Sequence, residues 1–287
     1  MDNMVELLYE SNILNQNIDY YILENKYNEL ININEVKLDT RWQKIKNGIS
    51  KVLNKIIDGF KFLLNKVLGI LKLLPKAIKF MMNILNHISK AKYRDDKKEI
   101  VCCDIGNLTK SLDKCYTIYT SDIIDAGSSF FDFSDGLEMN EENYQQIEKA
   151  ISELKERKNN VFPEVKKEIE ENKKVVKKYT YEKLTKEFIS FTKELNGDSY
   201  KNYRHDTARL KRQIECCEYC LKDAKKSAPL KPENEDSLDY RLHKKFIEFF
   251  TIELSYKKMY LSLATSTEVF IMKEFKKFIS RNDMENL

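Results

Sequence analysis

Thr40–Lys92 reads TRWQKIKNGISKVLNKIIDGFKFLLNKVLGILKLLPKAIKFMMNILNHISKAK, and the fold class turns on this stretch. Trp42, Ile45, Ile49, Val52, Ile56, Phe60, Leu63, Val67, Leu71 and Leu74 recur three or four residues apart, and Ile78, Met81 and Leu85 continue the series. That interval puts them on one face of a helix. Lys44, Lys51, Lys55, Lys61, Lys66, Lys72, Lys76 and Lys79 occupy the other side. Residues 41–92 hold twelve bases against a single acid, Asp58, so a broad apolar face is backed by a cationic one.

Local signals set the expected boundaries. Thr40 with Gln43 three residues on fits a capping box, which predicts a helix start there. Pro75 has no N–H and disfavours helical geometry in the residue before it, so two helices are expected, about 41–73 and 76–91. Leu53, Ile57, Phe62, Leu64, Leu68, Ile70 and Leu73 widen the apolar face beyond a two-position seam. A face this wide has to be covered by the chain itself, by another copy or by a membrane surface.

Working outward, the flanks are acidic. Residues 1–40 carry a net charge of −6 and residues 101–148 a net charge of −8, against +11 for residues 41–92. Two explanations stand side by side: neutralisation within the chain, or an external anionic partner. The overall charge of +4 names no partner by itself.

Four segments follow from this layout. Residues 1–39 form an acidic segment with short helices at Met4–Tyr9 and Ile18–Leu30; residues 40–92 form the basic amphipathic helices. Residues 93–139, with the β-leaning run Cys115–Thr120, read as an irregular linker or insert, and residues 140–287 as a bundle of long helices. In that bundle the expected helices are Asn143–Lys158, Glu164–Leu195 started by Pro163 and capped by Gly197, Ser199–Lys226, and about Ser237–Ser280. The proline-bearing tract Ala228–Glu233 separates the last two. Only 7 Gly and 4 Pro in 287 residues argue against a sandwich or barrel. The reading is all-α: an elongated helical bundle with coiled-coil-like packing.

Chemical signatures are sparse. Cys216, Cys217 and Cys220 share a predicted helix that could offer two metal ligands from one face, with Cys102, Cys103 or Cys115 supplying the others. A helical C-x-x-C is a weak metal signal, and reduced, buried thiols acting as small hydrophobes are the favoured reading. His205 beside Asp206 lacks a nucleophile, and Ser111-x-x-Lys114 lacks its companion motifs. There is no phosphate-cradling glycine loop and no H-E-x-x-H or G-x-S-x-G. No cofactor and no catalysis are expected. The amino terminus is acidic where a secretory leader would be basic, and lysines interrupt every apolar run in residues 44–79.

The basic stretch admits three partners. Nonspecific nucleic acid is the weakest, because no aromatics interleave the lysines for base stacking. An anionic membrane surface fits a helix with lysines on one side and Trp42, Phe60, Phe62 and Phe80 among its apolar residues. A core or assembly helix, its lysines matched to the acidic flanks, is the leading reading, with the apolar face from Trp42 to Leu74 docking on sister copies or other proteins.

The order of the first third resembles a set of structural virion proteins from tailed phages of low-GC Gram-positive bacteria. The resemblance rests on the acidic helix Val5-Glu6-Leu7-Leu8-Tyr9-Glu10-Ser11 followed by the lysine-rich run led by Trp42-Gln43-Lys44-Ile45, and it spans residues 4–92. It implies a noncatalytic particle component, internal to the head or ejected with DNA, found in the virion and, before assembly, in the cytoplasm of the infected cell.

Overall fold

The computed structural model describes residues 38–90, 99–117, 141–226 and 238–280. The expected helices at Met4–Tyr9 and Ile18–Leu30, the Ala228–Glu233 linker and residues 118–139 of the insert lie outside this range. So do the side chains of Trp42, Lys44 and Ile45.

Among the described residues the fold is all-α apart from one two-stranded sheet. Helix α1 is Leu38–Lys90. Strand β1 is Ile100–Cys103, followed by helix α2 over residues 105–117. Helix α3 is Glu141–Asn172, strand β2 is Val176–Tyr179 and helix α4 is Tyr181–Glu194. A π-helical turn, Leu195–Ser199, leads into α5, Tyr200–Lys226, and the last helix, α6, is Leu238–Ser280.

Pro75 does not divide α1. The 53-residue helix runs through it, about 80 Å at 1.5 Å per residue, and begins at Leu38 rather than at Thr40. Pro75 lies on the exposed side, while Leu74, Ala77, Ile78 and Met81 around it are buried. Burial of four apolar side chains outweighs the one backbone hydrogen bond that proline removes. Pro163 behaves likewise inside α3, flanked by buried Phe162 and Val165, so it starts no new helix.

The expected helix Glu164–Leu195 is broken where β2 forms. Lys173, Lys174 and Val175 turn out of α3 through bonds to Ile169, Glu171 and Asn172 carbonyls. β2 then pairs antiparallel with β1 in the register Ile100↔Tyr179, Val101↔Lys178, Cys102↔Lys177 and Cys103↔Val176. Thr180 caps α4 by accepting from the Lys183 N–H at 3.3 Å. Residues 99–117, expected as irregular, are this strand and α2, whose start is capped by Asp104 accepting from the Asn107 N–H at 3.2 Å. Residues 115–117 of the β-leaning run are helical. Gly197 caps nothing, since the π turn carries the chain straight from α4 into α5.

Helix α6 is the axis of the bundle. From residue 244 to residue 272 no position is exposed, so this helix is covered on every side. Its aromatic stripe is packed from three directions: Phe250 against Phe60 of α1, Tyr256 against Phe162 of α3, and Phe275 against Phe188 of α4. Pairs Glu141–Arg241, Glu148–Lys245 and Lys155–Glu248 rise together along both chains, so α3 and α6 run parallel. α5 lies along α1, and α4 packs on α1 as well. Segments 40–92 and 140–287 therefore share one core.

Candidate interaction surface

The two faces of α1 meet different fates. Val52, Ile56, Phe60, Leu63, Val67 and Leu74 are buried, and Ile49 and Leu71 are half-buried against the same core. The chain's own α4, α5 and α6 cover this face. On the outer side Lys51, Lys55, Lys61, Lys72, Lys76 and Lys79 are exposed. Lys61 pairs with Glu218 of α5 at 3.1 Å. Lys51, Lys72, Lys76 and Lys79 enter no ion pair among the described residues. Lys66 leaves the row: half-buried beside the Phe62 ring, it is brought down to about 8 by burial and by Lys258. Leu68 and Phe80 stand exposed among the lysines at 43% and 41%.

A second cluster is hidden in the core. Glu253, Lys257, Tyr260, Ala264 and Glu268 follow one another at helical spacing on α6 and face Tyr203, Asp206, Arg209 and Gln213 of α5. Lys257 Nζ lies 3.5 Å from Asp206 Oδ1, and Arg209 Nε lies 3.7 Å from Glu253 Oε1, which also accepts from Gln213 Nε2. Glu268 accepts from the Tyr203 hydroxyl at 3.0 Å and from the Tyr116 hydroxyl of α2. Because Tyr203 meets Glu268 and Gln213 meets Glu253, α5 and α6 are antiparallel.

Burial governs the titration of this seam. It pushes Glu268 up to about 7 against the two tyrosine donors. It also raises Glu253, against Lys257 and Arg209, and lowers Lys257, against Asp206 and Glu253. Asp206, Glu253, Lys257 and Arg209 balance two negative charges with two positive ones. With Glu253, Lys257 and Glu268 at 0–2% exposure, no substrate reaches them. A slip of one turn would separate each charge from its partner.

The other chemistry suggested by the sequence separates in space. His205 is exposed while Asp206 turns inward to Lys257, so no dyad forms. Ser111 and Lys114 both bond Glu168, at 2.8 and 2.6 Å, rather than each other. Cys217 and Cys220 are buried and Cys216 half-buried, and none of the six cysteines forms a disulfide. Among the described residues, no metal-ligand cluster includes the Cys216–Cys220 group. No described helix is long and apolar enough to cross a membrane.

Sequence reasoning missed the buried seam because charged residues usually mark a solvated face. The signal was their phase: at 100° per residue Glu253 and Lys257 fall within the arc that Phe246, Tyr260 and Phe275 define, and Glu268 about 20° beyond it. No family model matches this chain, and no curated protein or solved structure matches it either.

Proposed function

We propose that this protein is a noncatalytic structural or assembly component, of the phage-particle kind that its first third resembles. Helix α1 acts in two directions. Its apolar side organises the bundle, and its outer lysine row docks on an acidic surface of another protein. The observation that carries this reading is the row itself: Lys51, Lys72, Lys76 and Lys79 are exposed and without an ion pair among the described residues. Like charges on one helix repel, and their attraction to an acidic partner is salt-sensitive.

Peptide mass spectrometry on purified particles tests membership: stoichiometric peptides support it, and absence from clean particles defeats it. The charge-reversed chain K51E/K72E/K76E/K79E is expected to fold with little change in midpoint, because the four side chains are solvated, yet to lose incorporation. Incorporation equal to wild type removes the lysine row from the mechanism. A second reading draws on Leu68 and Phe80, apolar side chains exposed among lysines as at a lipid interface. Sedimentation of the full chain with anionic but not neutral vesicles would favour it.

A further inference from the structure

The cysteines on β1, rather than those on α5, make a ligand set. Along a strand successive side chains point to opposite faces, yet Cys102 and Cys103 are both buried, at the strand's end, where Asp104 turns the chain into α2. Their Sγ atoms are 4.0 Å apart. Glu274 of α6 brings its Oε2 to 3.5 Å from Cys102 Sγ, and the three ligand atoms all lie within 4.8 Å of one another. The Glu274 carboxylate is oriented from its other oxygen, since Lys277 Nζ donates to Oε1 at 2.6 Å.

We propose that Cys102, Cys103 and Glu274 bind one thiophilic divalent cation, with zinc the best fit. A tetrahedral zinc with Zn–S near 2.3 Å and Zn–O near 2.1 Å requires ligand–ligand edges of about 3.8 Å between sulfurs and about 3.6 Å from sulfur to oxygen. The observed 4.0 and 3.5 Å are within a few tenths of an ångström of those edges, and the third, from Cys103 Sγ to the Glu274 carboxylate, is under 4.8 Å. Two thiolates and a carboxylate suit zinc better than the hard cations calcium or magnesium, which take oxygen ligands. On binding, each thiol gives its proton to solvent and each sulfur donates an electron pair to the metal, with water at the fourth corner. Lys277 holds the carboxylate and offsets the surplus negative charge of the complex, the outer support such sites need.

The site has a structural consequence. Cys102 and Glu274 are 172 residues apart in sequence, so the ion ties the only sheet among the described residues to the carboxy-terminal end of α6. Binding to the folded chain alone raises its stability by mass action.

The experiment uses the full chain, reduced and stripped of metal. Added Co(II) is expected to give one equivalent of a tetrahedral complex with a thiolate-to-cobalt charge-transfer band, displaced by Zn(II), and Zn(II) is expected to raise the thermal midpoint. C102S/C103S should lose the band, while C216S/C217S/C220S should keep it. E274Q should keep the fold and weaken Zn(II) affinity roughly tenfold or more. The assignment is overturned if wild type gives no thiolate band at stoichiometric Co(II), or if the band survives C102S/C103S. Should that double variant fail to fold, E274Q decides alone, and wild-type affinity in E274Q overturns the site.

Discussion

Gly59 and Gly69 share α1, yet a methyl group added to each has opposite effects. A Cβ on Gly59 would stand 2.6 Å from Leu254 Cδ2 and 3.2 Å from its Cδ1, so the buried Leu254 side chain has to shift. Gly59→Ala is expected to cost about 1 kcal/mol net, overpacking outweighing helix propensity. A Cβ on Gly69 meets nothing within 4 Å, and Gly69→Ala should gain about 0.5–1 kcal/mol. Urea midpoints of the two variants check the sign. Glu268 supplies a pH dependence. Its ordinary value is 4.5 and the fold raises it to about 7, so the folded chain holds a proton that the unfolded chain releases earlier. Its contribution is full below pH 4.5 and is lost as pH rises through about 7, on the order of 3 kcal/mol in all. Wild type should therefore lose stability relative to E268Q between pH 5 and pH 8, measured by chemical denaturation at each pH. An unchanged difference would mean Glu268 titrates normally. Neither effect was legible in the sequence, where Gly59 and Gly69 look alike and Glu268 looks solvated.

At the scale of elements, Pro75 is a fault that α1 tolerates. Replacing it with Ala restores an N–H that can bond the Leu71 carbonyl and removes the ring clash. Pro75→Ala is expected to add about 1–3 kcal/mol while leaving far-UV helicity nearly unchanged. A large rise in helicity would instead mean that the helix ends at Leu74 in solution. The hydrophobic period over Val52–Leu85 was strong enough to read in sequence, and the last helix was legible almost to the residue. The two-stranded sheet was not. Val176–Tyr179 is four residues long and sits in a charged helical pattern, and its partner strand begins at Ile100. A pairing between segments that far apart leaves no local trace in either.

Across the whole molecule, α6 couples the parts. Phe60 of α1 meets Phe250 edge-on at 6.3 Å between centroids, with Phe60 fully buried. Phe60→Ala should destabilise by about 3–5 kcal/mol, and amide exchange should accelerate together in α1, α5 and α6, because one core holds all three. Acceleration confined to α1 would show that the helix unfolds independently. The same packing separates what the sequence decided from what it left open. Periodicity and scarce Gly and Pro determined an all-α chain and placed the lysines opposite the apolar face, since both properties repeat within a few residues. Which helix covers that face, that α1 passes unbroken through Pro75, and that Glu253, Lys257 and Glu268 are buried were decided only by tertiary structure. Each depends on the apolar area and charge that distant segments bring to α6, and the free energy of that burial exceeds the local preferences it overrides.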